Sequence, residues 1–164
     1  MDGQDQAVSA GPFLWLARPQ SKVLHTGARA WHARHDGYRR LPDPVTHHRR
    51  VELDTHRVTI EDWLECTQPH SVALAFHLGP DLDLELLGAA AQLRWRSGTA
   101  QMRLAAGLTW TAHRGELDPP LGWYSEGFGH KTPSWTLIGR GTLPPDTALL
   151  TQFTFEATPC PAAS

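Results

Sequence analysis

The chain has 164 residues, 40% of them apolar and 20% charged, and its formal net charge is −2 at pH 7. This length fits a single domain that can bury a core, and the near-neutral charge excludes the global positive field with which proteins hold nucleic acid. No apolar run approaches the ~20 residues of a membrane span, and the first residues lack the basic start and apolar stretch of a signal peptide.

Alternation of apolar and other residues with a period of two predicts β-strands along the chain. The clearest example places Val72, Leu74 and Phe76 on one face, with Ala73 and Ala75 between them. In chain order the predicted strands cover residues 22–25, 30–33, 51–53, 58–60, 72–78, 82–86, 91–95, 100–104, 108–112, 135–138 and 149–155. A competing helix over residues 84–95 is interrupted by Gly88, which favours a hairpin there.

Turn signals separate these segments at the spacing typical of an antiparallel sandwich. They include Asp36-Gly37 and Gly79-Pro80. We therefore predict an all-β fold, an antiparallel β-sandwich of about ten strands over residues 1–158, followed by a flexible tail at residues 159–164. The opening run from Asp2 to Gln6 is typical of a turn, yet no strand precedes it, so we expect the sandwich to be incomplete at its N-terminal edge.

Residues 32–50 contain four histidines and five arginines. A zinc site needs three or four ligands that converge. On strands, however, His32 and His35 point to opposite faces, and so do the adjacent His47 and His48. We therefore predict no metal site in this segment, and histidines that lie on the surface or pack on the sheet are the simpler interpretation.

General acid–base catalysis would need a histidine that titrates near neutral pH beside a tyrosine that can transfer a proton. His35 and Tyr38 lie three residues apart across a turn, and Tyr124 lies in a polar loop. For either tyrosine the alternative is a packed ring with its hydroxyl bonded to the backbone. The sequence contains no nucleophile elbow, phosphate-binding glycine loop or HExxH segment, so acyl transfer, nucleotide chemistry and metalloproteolysis have no support.

The chain contains seven tryptophans. Trp31, Trp95 and Trp110 fall in register with apolar strand positions, so we predict that they lie in the core. Trp123, next to Tyr124 in a loop, is the best candidate for stacking on a sugar ring.

Several short segments, taken in chain order, resemble the C-terminal β-sandwich of the heparinase II/III-like polysaccharide lyases. The ordered set spans nearly the whole chain. It comprises Asp2-Gly3-Gln4-Asp5-Gln6 with Gly11-Pro12-Phe13, then His35-Asp36-Gly37-Tyr38, His48-Arg49-Arg50-Val51, Ile60-Glu61-Asp62, Phe76-His77-Leu78-Gly79-Pro80, and finally Gly122-Trp123-Tyr124-Ser125 with Phe128-Gly129 and Pro133.

The resemblance implies a lyase that cleaves uronic-acid-containing polysaccharides by β-elimination. A base removes the proton beside the carboxylate, a polar group neutralises the carboxylate, and an acid protonates the leaving oxygen. In this family the catalytic residues and the zinc ligands lie on an N-terminal α/α toroid and on early strands of the sandwich, all upstream of Asp2. We therefore assign no catalytic residue and no metal ligand, and expect this chain alone to be inactive and without a cofactor. Zinc or another divalent ion would belong to the complete enzyme.

The implied partners are an acidic polysaccharide and the missing N-terminal toroid, with no nucleic acid and no membrane span. The implied location of the parent enzyme is the periplasm or cell envelope, although we expect no signal peptide in this chain. We further predict that the Arg/His cluster is partly a positive wall facing the polysaccharide or the toroid. The predicted substrate-binding residues are His35, Tyr38, Arg49, Arg50, His77, Trp123 and Tyr124.

Two other classes of function remain open. A free-standing carbohydrate-binding module would bind glycans through exposed aromatic rings without any chemistry. A zinc enzyme on a jelly-roll would use His32, His70 and His77 as ligands. Saturable glycan binding by the chain alone distinguishes the module, and stoichiometric bound zinc distinguishes the zinc enzyme.

Overall fold

The computed structural model describes residues 1–12 and 14–157, and within these ranges the chain is all β. The described part contains no helix, and hence none that is long and apolar enough to cross a membrane. The strands are β1 (Val8–Gly11), β2 (Leu14–Ala17), β3 (Ser21–Thr26), β4 (Ala30–Tyr38), β5 (Val45–Leu53), β6 (Arg57–Glu65), β7 (His70–His77), β8 (Asp83–Leu87), β9 (Ala90–Trp95), β10 (Gly98–Arg103), β11 (Thr109–Arg114), β12 (Glu116–Leu117), β13 (Pro120–Leu121), β14 (Trp123–Gly127), β15 (His130–Pro133), β16 (Trp135–Leu143) and β17 (Ala148–Ala157).

Two antiparallel sheets make up the body of the fold. The larger has eight strands in the order β3-β4-β5-β6-β17-β10-β9-β8, and the smaller has three in the order β11-β16-β7. Three two-stranded hairpins, β1-β2, β12-β13 and β14-β15, complete the topology. The predicted all-β, antiparallel sandwich class is confirmed.

The strands β4, β5 and β6 each span nine residues, longer than the segments at 30–33, 51–53 and 58–60 that alternation predicted. Their histidines and arginines lie inside the strands, and these polar residues hid the strand pattern. Residues 158–164, and with them the predicted tail at 159–164, lie outside the described residues. The domain boundary at residue 158 therefore stays a prediction.

The core lies between the two sheets. On the smaller sheet, Phe76 of β7 stacks on Trp110 of β11, with ring centroids 6.0 Å apart. Phe153 of β17 meets Phe76 edge to face from the larger sheet, also at 6.0 Å. Met102 and Leu137 are fully buried beside them. Aromatic pairs at this spacing contribute beyond the area that they bury.

The tryptophans only partly follow the prediction from strand register. Trp110 is buried and donates its Nε1–H to the backbone oxygen of Ala105 at 3.0 Å. Trp31, by contrast, is 39% exposed, so its predicted core position is wrong. It lies on a part of the larger sheet that the smaller sheet does not cover.

The strand β7 pairs with β16 on one side, and no other described strand pairs with its opposite side. At the start of that free side, Asp2 donates its backbone N–H to the oxygen of Ser71 at 2.8 Å. Unpaired edges of this kind are templates for further strands. The expected incompleteness at the N-terminal edge stays a prediction.

We expect Gly139→Ala to lower the free energy of unfolding by roughly 1–3 kcal/mol, because it overpacks the core. Gly139 pairs with Trp110 across β16 and β11, and a Cβ at this position would lie 2.7 Å from the indole ring. The ring is held by its hydrogen bond to Ala105, so it cannot tilt freely. Urea denaturation followed by tryptophan fluorescence measures the change.

Gly79→Ala is the matched control, since no described heavy atom would lie within 4 Å of the added Cβ. We expect it to change stability by less than about 0.5 kcal/mol. Equal stability of the two variants would contradict the packing described for Trp110.

Candidate functional site

Pairing between β4, β5 and β6 sorts the polar residues onto two faces. His35 pairs with His47, and Arg49 pairs with Asp62, so these four residues lie on the face turned toward the smaller sheet, here called the inner face. The neighbouring positions His32, His48, Arg50 and Trp63 lie on the opposite, outer face. Paired residues of adjacent strands share a face, and the predicted split within each histidine pair is observed.

The four inner-face residues His35, His47, Arg49 and Asp62 form a connected network, here called the inner cluster. Arg49 donates from Nε and Nη2 to the two carboxylate oxygens of Asp62 at 2.8 and 3.0 Å. His47 Nε2 lies 2.8 Å from Asp62 Oδ1, and His47 Nδ1 lies 3.0 Å from His35 Nε2. The Asp62 side chain is only 4% exposed, so these bonds compensate a buried carboxylate.

One placement of the ring protons satisfies every contact of the two imidazoles. His47 donates from Nε2 to Asp62, which leaves its Nδ1 to accept from His35 Nε2. His35 Nδ1 then accepts the backbone N–H of Gly37 at 3.3 Å. The chain of hydrogen bonds therefore runs in one direction, from Gly37 to Asp62, and both rings are neutral.

Electrostatics agree with this placement. Burial lowers the pKa of His35 below its ordinary value, and the neighbouring His47 lowers it further. Burial by itself would raise the pKa of Asp62, but the hydrogen bonds from His47 and Arg49 outweigh it, so the pKa is lowered. The lowered pKa values of the two groups keep the Asp62 carboxylate ionised and favour the neutral form of His35 near neutral pH.

A pocket of about 460 Å³ lies above the inner cluster, between the inner face and the free edge of β7. Tyr38, Trp31 and Val23 line it on the sheet side, and residues 72–75 line it on the β7 side. The ring centroid of Tyr38 lies 5.7 Å from that of His35, and burial raises the pKa of Tyr38. Apolar walls above a few polar groups are typical of small-ligand pockets, although here the polar groups largely satisfy one another.

The outer face carries a second histidine pair. His32 Nε2 lies 3.2 Å from His48 Nδ1, and the His48 ring stacks on Trp63 with centroids 4.9 Å apart. Arg50 lies on the same face and pairs with Glu61 at 3.2 Å and with Glu52 at 3.4 Å. Acidic partners therefore balance the positive charge of Arg50.

The predicted substrate-binding residues fall into separate places. His35, Tyr38 and Arg49 line the pocket, whereas Arg50 is on the outer face. His77 lies at the end of β7, where its Nδ1 is 3.0 Å from Thr136 Oγ1.

Trp123 and Tyr124 lie on the β14-β15 hairpin. The ring of Trp123 is covered by the Lys131 ammonium, which lies 3.9 Å from its centroid, and its Nε1 donates to Glu116 O at 2.7 Å. Tyr124 is 41% exposed and so accessible. Binding roles for all seven residues stay predictions.

Two members of the inner cluster, His47 and Asp62, were not among the predicted site residues. His47 and Arg49 share a face because they are two residues apart on one strand, and that spacing is visible in the sequence. The position of Asp62 opposite Arg49 depends on the register between β5 and β6, which the sequence does not state.

The zinc set suggested by the sequence does not converge. His32 lies on the outer face of β4, and His70 and His77 lie at opposite ends of β7, about 23 Å apart at the usual rise per residue. That alternative is therefore wrong as a ligand set. His70 instead contacts Asp2 and Asp43.

We expect Asp62→Asn to lower the free energy of unfolding by roughly 2–4 kcal/mol, because it leaves Arg49 and His47 facing a neutral amide in a buried position. Chemical denaturation at pH 7 measures the loss. Glu61→Gln is the control, since its partner Arg50 is half exposed and a surface pair contributes at most about 1 kcal/mol. Equal effects of the two substitutions would show that the inner cluster does not stabilise the fold.

The lowered pKa of His35 predicts a pH-dependent contribution to stability. Between the folded pKa and the ordinary value of 6.5 the unfolded chain binds a proton that the folded chain does not, so stability falls as the pH falls through this window. The free energy of unfolding of the wild type, relative to that of His35→Gln, should therefore be higher at pH 7.5 than at pH 5. Urea titrations at both pH values test this, and a pH-independent difference would contradict it.

Comparisons with known proteins identify a family and solved structures of similar fold. Residues 1–156 match the family described as heparinase II/III-like, C-terminal, and no curated protein matches the chain. A heparan sulfate lyase HepC mutant from Pedobacter heparinus superposes with a TM-score of 0.65 at 8% identity, over 85% of this chain and 22% of that chain. A heparinase III gene product with methylated lysines superposes with a TM-score of 0.63 at 13% identity and the same coverage.

At these identities the solved structures establish similarity of fold alone. The chain spans about a fifth of the length of either solved chain. The family match, in contrast, covers nearly the whole sequence. The protein therefore belongs to the heparinase II/III-like family, whose C-terminal domain it matches.

Proposed function

We propose that this chain is the β-sandwich portion of a polysaccharide lyase that cleaves uronic-acid-containing polysaccharides by β-elimination. The observation that carries the proposal is the family match over residues 1–156, joined to a fold similar to that of heparan sulfate lyases. The catalytic groups belong to an N-terminal toroid on a longer polypeptide. The parent enzyme works in the periplasm or cell envelope.

The state of the inner cluster supports a non-catalytic role for this portion. β-Elimination needs a base with a free lone pair beside the sugar carboxylate, and an acid that can reach the leaving oxygen. Asp62 already accepts hydrogen bonds from Arg49 and His47, and both imidazoles are engaged at both ring nitrogens. These groups are arranged to stabilise the sheet, so we place the proton transfers elsewhere.

The contribution that we assign to this portion is contact with an acidic polysaccharide and with the toroid. The proposed contact residues are those predicted from the sequence, and of these Tyr124 is the most accessible ring. An exposed tyrosine offers a face for a pyranose ring and a hydroxyl for its polar edge. Lys131 lies on the same hairpin, where its ammonium group would attract a uronate.

A free-standing carbohydrate-binding module is the second candidate, and the β14-β15 hairpin favours it. Phe128 at the hairpin turn is fully exposed, and Tyr124 is accessible on the adjoining strand. Exposed aromatic rings offer apolar faces on which sugar rings can stack without any chemistry. Binding by the chain alone, without cleavage by a longer polypeptide, would favour this candidate.

The test is to incubate the purified chain with heparan sulfate, alginate and an uncharged glycan, and to measure unsaturated uronate ends by ultraviolet absorbance. We expect no product from the chain alone, because the proton-transfer groups lie on the toroid. A longer polypeptide that includes a toroid should release unsaturated ends from one of the acidic glycans and none from the uncharged glycan.

Two outcomes would overturn the proposal. Release of unsaturated ends by the chain alone would mean that its own residues catalyse elimination. Release of saturated ends by the longer polypeptide would mean hydrolysis in place of elimination.

A further inference from the structure

Three side chains with different ligand atoms converge at the N-terminal end of β7. Asp43 comes from the loop between β4 and β5, Cys66 directly follows β6, and His70 begins β7. A carboxylate oxygen, the thiol sulfur and a ring nitrogen of these residues all lie within 4.8 Å of one another. His70 is nearly fully buried, and the other two are partly buried.

The distance between the ligand atoms of His70 and Asp43 is close to that of two atoms bound to the same ion. His70 Nε2 lies 2.9 Å from Asp43 Oδ2, whereas two ligands of a tetrahedral ion with bonds of ~2.0 Å lie ~3.3 Å apart. The Asp43 carboxylate is fixed by the backbone N–H groups of Thr67 and Gln68 at 3.0 and 2.8 Å. A shift of a few tenths of an ångström would bring these two atoms to the separation of a coordinated pair.

The carboxylate of Asp2 contacts the other ring nitrogen of His70. Asp2 Oδ2 lies 2.6 Å from His70 Nδ1, and Asp2 Oδ1 accepts the backbone N–H of Ser71 at 2.9 Å. A histidine that binds a metal through one nitrogen usually donates the other N–H to a carboxylate, which fixes the ring and increases its basicity. Asp2 is not itself one of the three converging residues, and its position matches that of a carboxylate that orients a metal-binding histidine.

We propose that Asp43, Cys66 and His70 form a binding site for a thiophilic divalent cation of the zinc class, with Asp2 orienting His70. A set of one sulfur, one nitrogen and one oxygen ligand suits zinc and disfavours magnesium and calcium, which prefer oxygen alone. A solvent molecule fills the fourth position. The site lies among residues to which the resemblance assigned no metal ligand.

Binding of a divalent ion would leave the net charge of the site unchanged. Because His70 contacts a carboxylate at each nitrogen, both nitrogens carry hydrogen and the ring is cationic without metal. Binding of one divalent ion displaces the Nε2 proton of His70 and the thiol proton of Cys66. Two positive charges leave as one dication enters, so the net charge of the site does not change.

The bound ion would join three segments that are far apart in sequence, namely the β4-β5 loop, the β6-β7 turn and, through Asp2, the N-terminal residues. Without metal the same segments are joined by the carboxylates on His70. The ion therefore strengthens an existing junction, and the chain folds in either form.

The test uses the full chain after removal of metal with a chelator and dialysis. Addition of cobalt(II) should produce an intense near-ultraviolet band from thiolate-to-cobalt charge transfer, together with visible bands typical of tetrahedral coordination, at one ion per chain. Mass spectrometry should then find one zinc ion after exchange. Cys66→Ser should abolish the charge-transfer band, and Cys160→Ser, which changes the chain's other cysteine, should retain it.

Asp2→Asn should weaken zinc binding by about 10–100-fold, with circular dichroism confirming that the fold is intact. Zinc should raise the melting temperature of the wild type and leave that of Cys66→Ser unchanged. Persistence of the charge-transfer band in Cys66→Ser, or failure of the wild type to bind one zinc ion with a micromolar or smaller Kd, would overturn the proposal. Neither result would affect the lyase proposal, which is tested by product formation.

Discussion

The larger sheet is wider than the smaller sheet that packs against it, and this mismatch shapes the rest of the structure. The smaller sheet reaches as far as β5 of the larger sheet, because Val45 of β5 and Leu64 of β6 belong to the buried core and Arg49 of β5 lies 5.9 Å from the centroid of the Phe76 ring on β7. Beyond β5, the strands β4 and β3 form the outer end of the larger sheet, and every residue of β3 is exposed. The pocket and the exposed Trp31 lie toward this outer end, and the inner cluster lies between it and the buried core.

The inner cluster also fixes the register of the strands that carry it. Burying Asp62 carries a desolvation cost of several kcal/mol, which Arg49 and His47 offset only through close geometry. If β5 slipped by one residue against β6, His48 and Arg50 would turn inward and Asp62 would lose both partners. The same slip would separate His47 from His35. The inner cluster therefore disfavours the wrong pairing of three strands whose alternation is otherwise weak.

Properties that depend on one strand could be predicted from the sequence, whereas those that depend on pairing between strands could not. Alternation found β7, β9 and β10, and it placed His47 and His48 on opposite faces. The opposition of Arg49 and Asp62, and the meeting of His70 with Asp2, require knowledge of which strands are neighbours. Trp31 was misplaced for the same reason, because an apolar position becomes core only where another layer covers it. The resemblance to the lyase sandwich captured the fold class because it used the order of segments along the whole chain.

The basic segment at residues 32–50 looks strongly positive in the sequence but is largely neutralised in the fold. Arg49 is paired with Asp62, Arg50 with Glu61 and Glu52, and Arg34 lies 3.9 Å from Glu65. Arg40 donates to the backbone oxygens of Asp5 and Gly37. The acidic partners lie on β5 and β6, after the basic segment in the sequence. The composition of the segment alone therefore overstates its positive charge.

This compensation constrains the proposed contact with an acidic polysaccharide. A sulfated or uronate chain that approached Arg49 would have to compete with a bidentate carboxylate that is already buried, and such competition is unfavourable unless Asp62 becomes protonated. Because the pKa of Asp62 is lowered, that protonation does not occur near neutral pH. Arg50 is half exposed and its two acidic partners lie near the surface, so its pairs are weak and exchangeable. Of the two adjacent arginines, Arg50 therefore has the weaker and more exchangeable ion pairs, and Arg49 is the more tightly held.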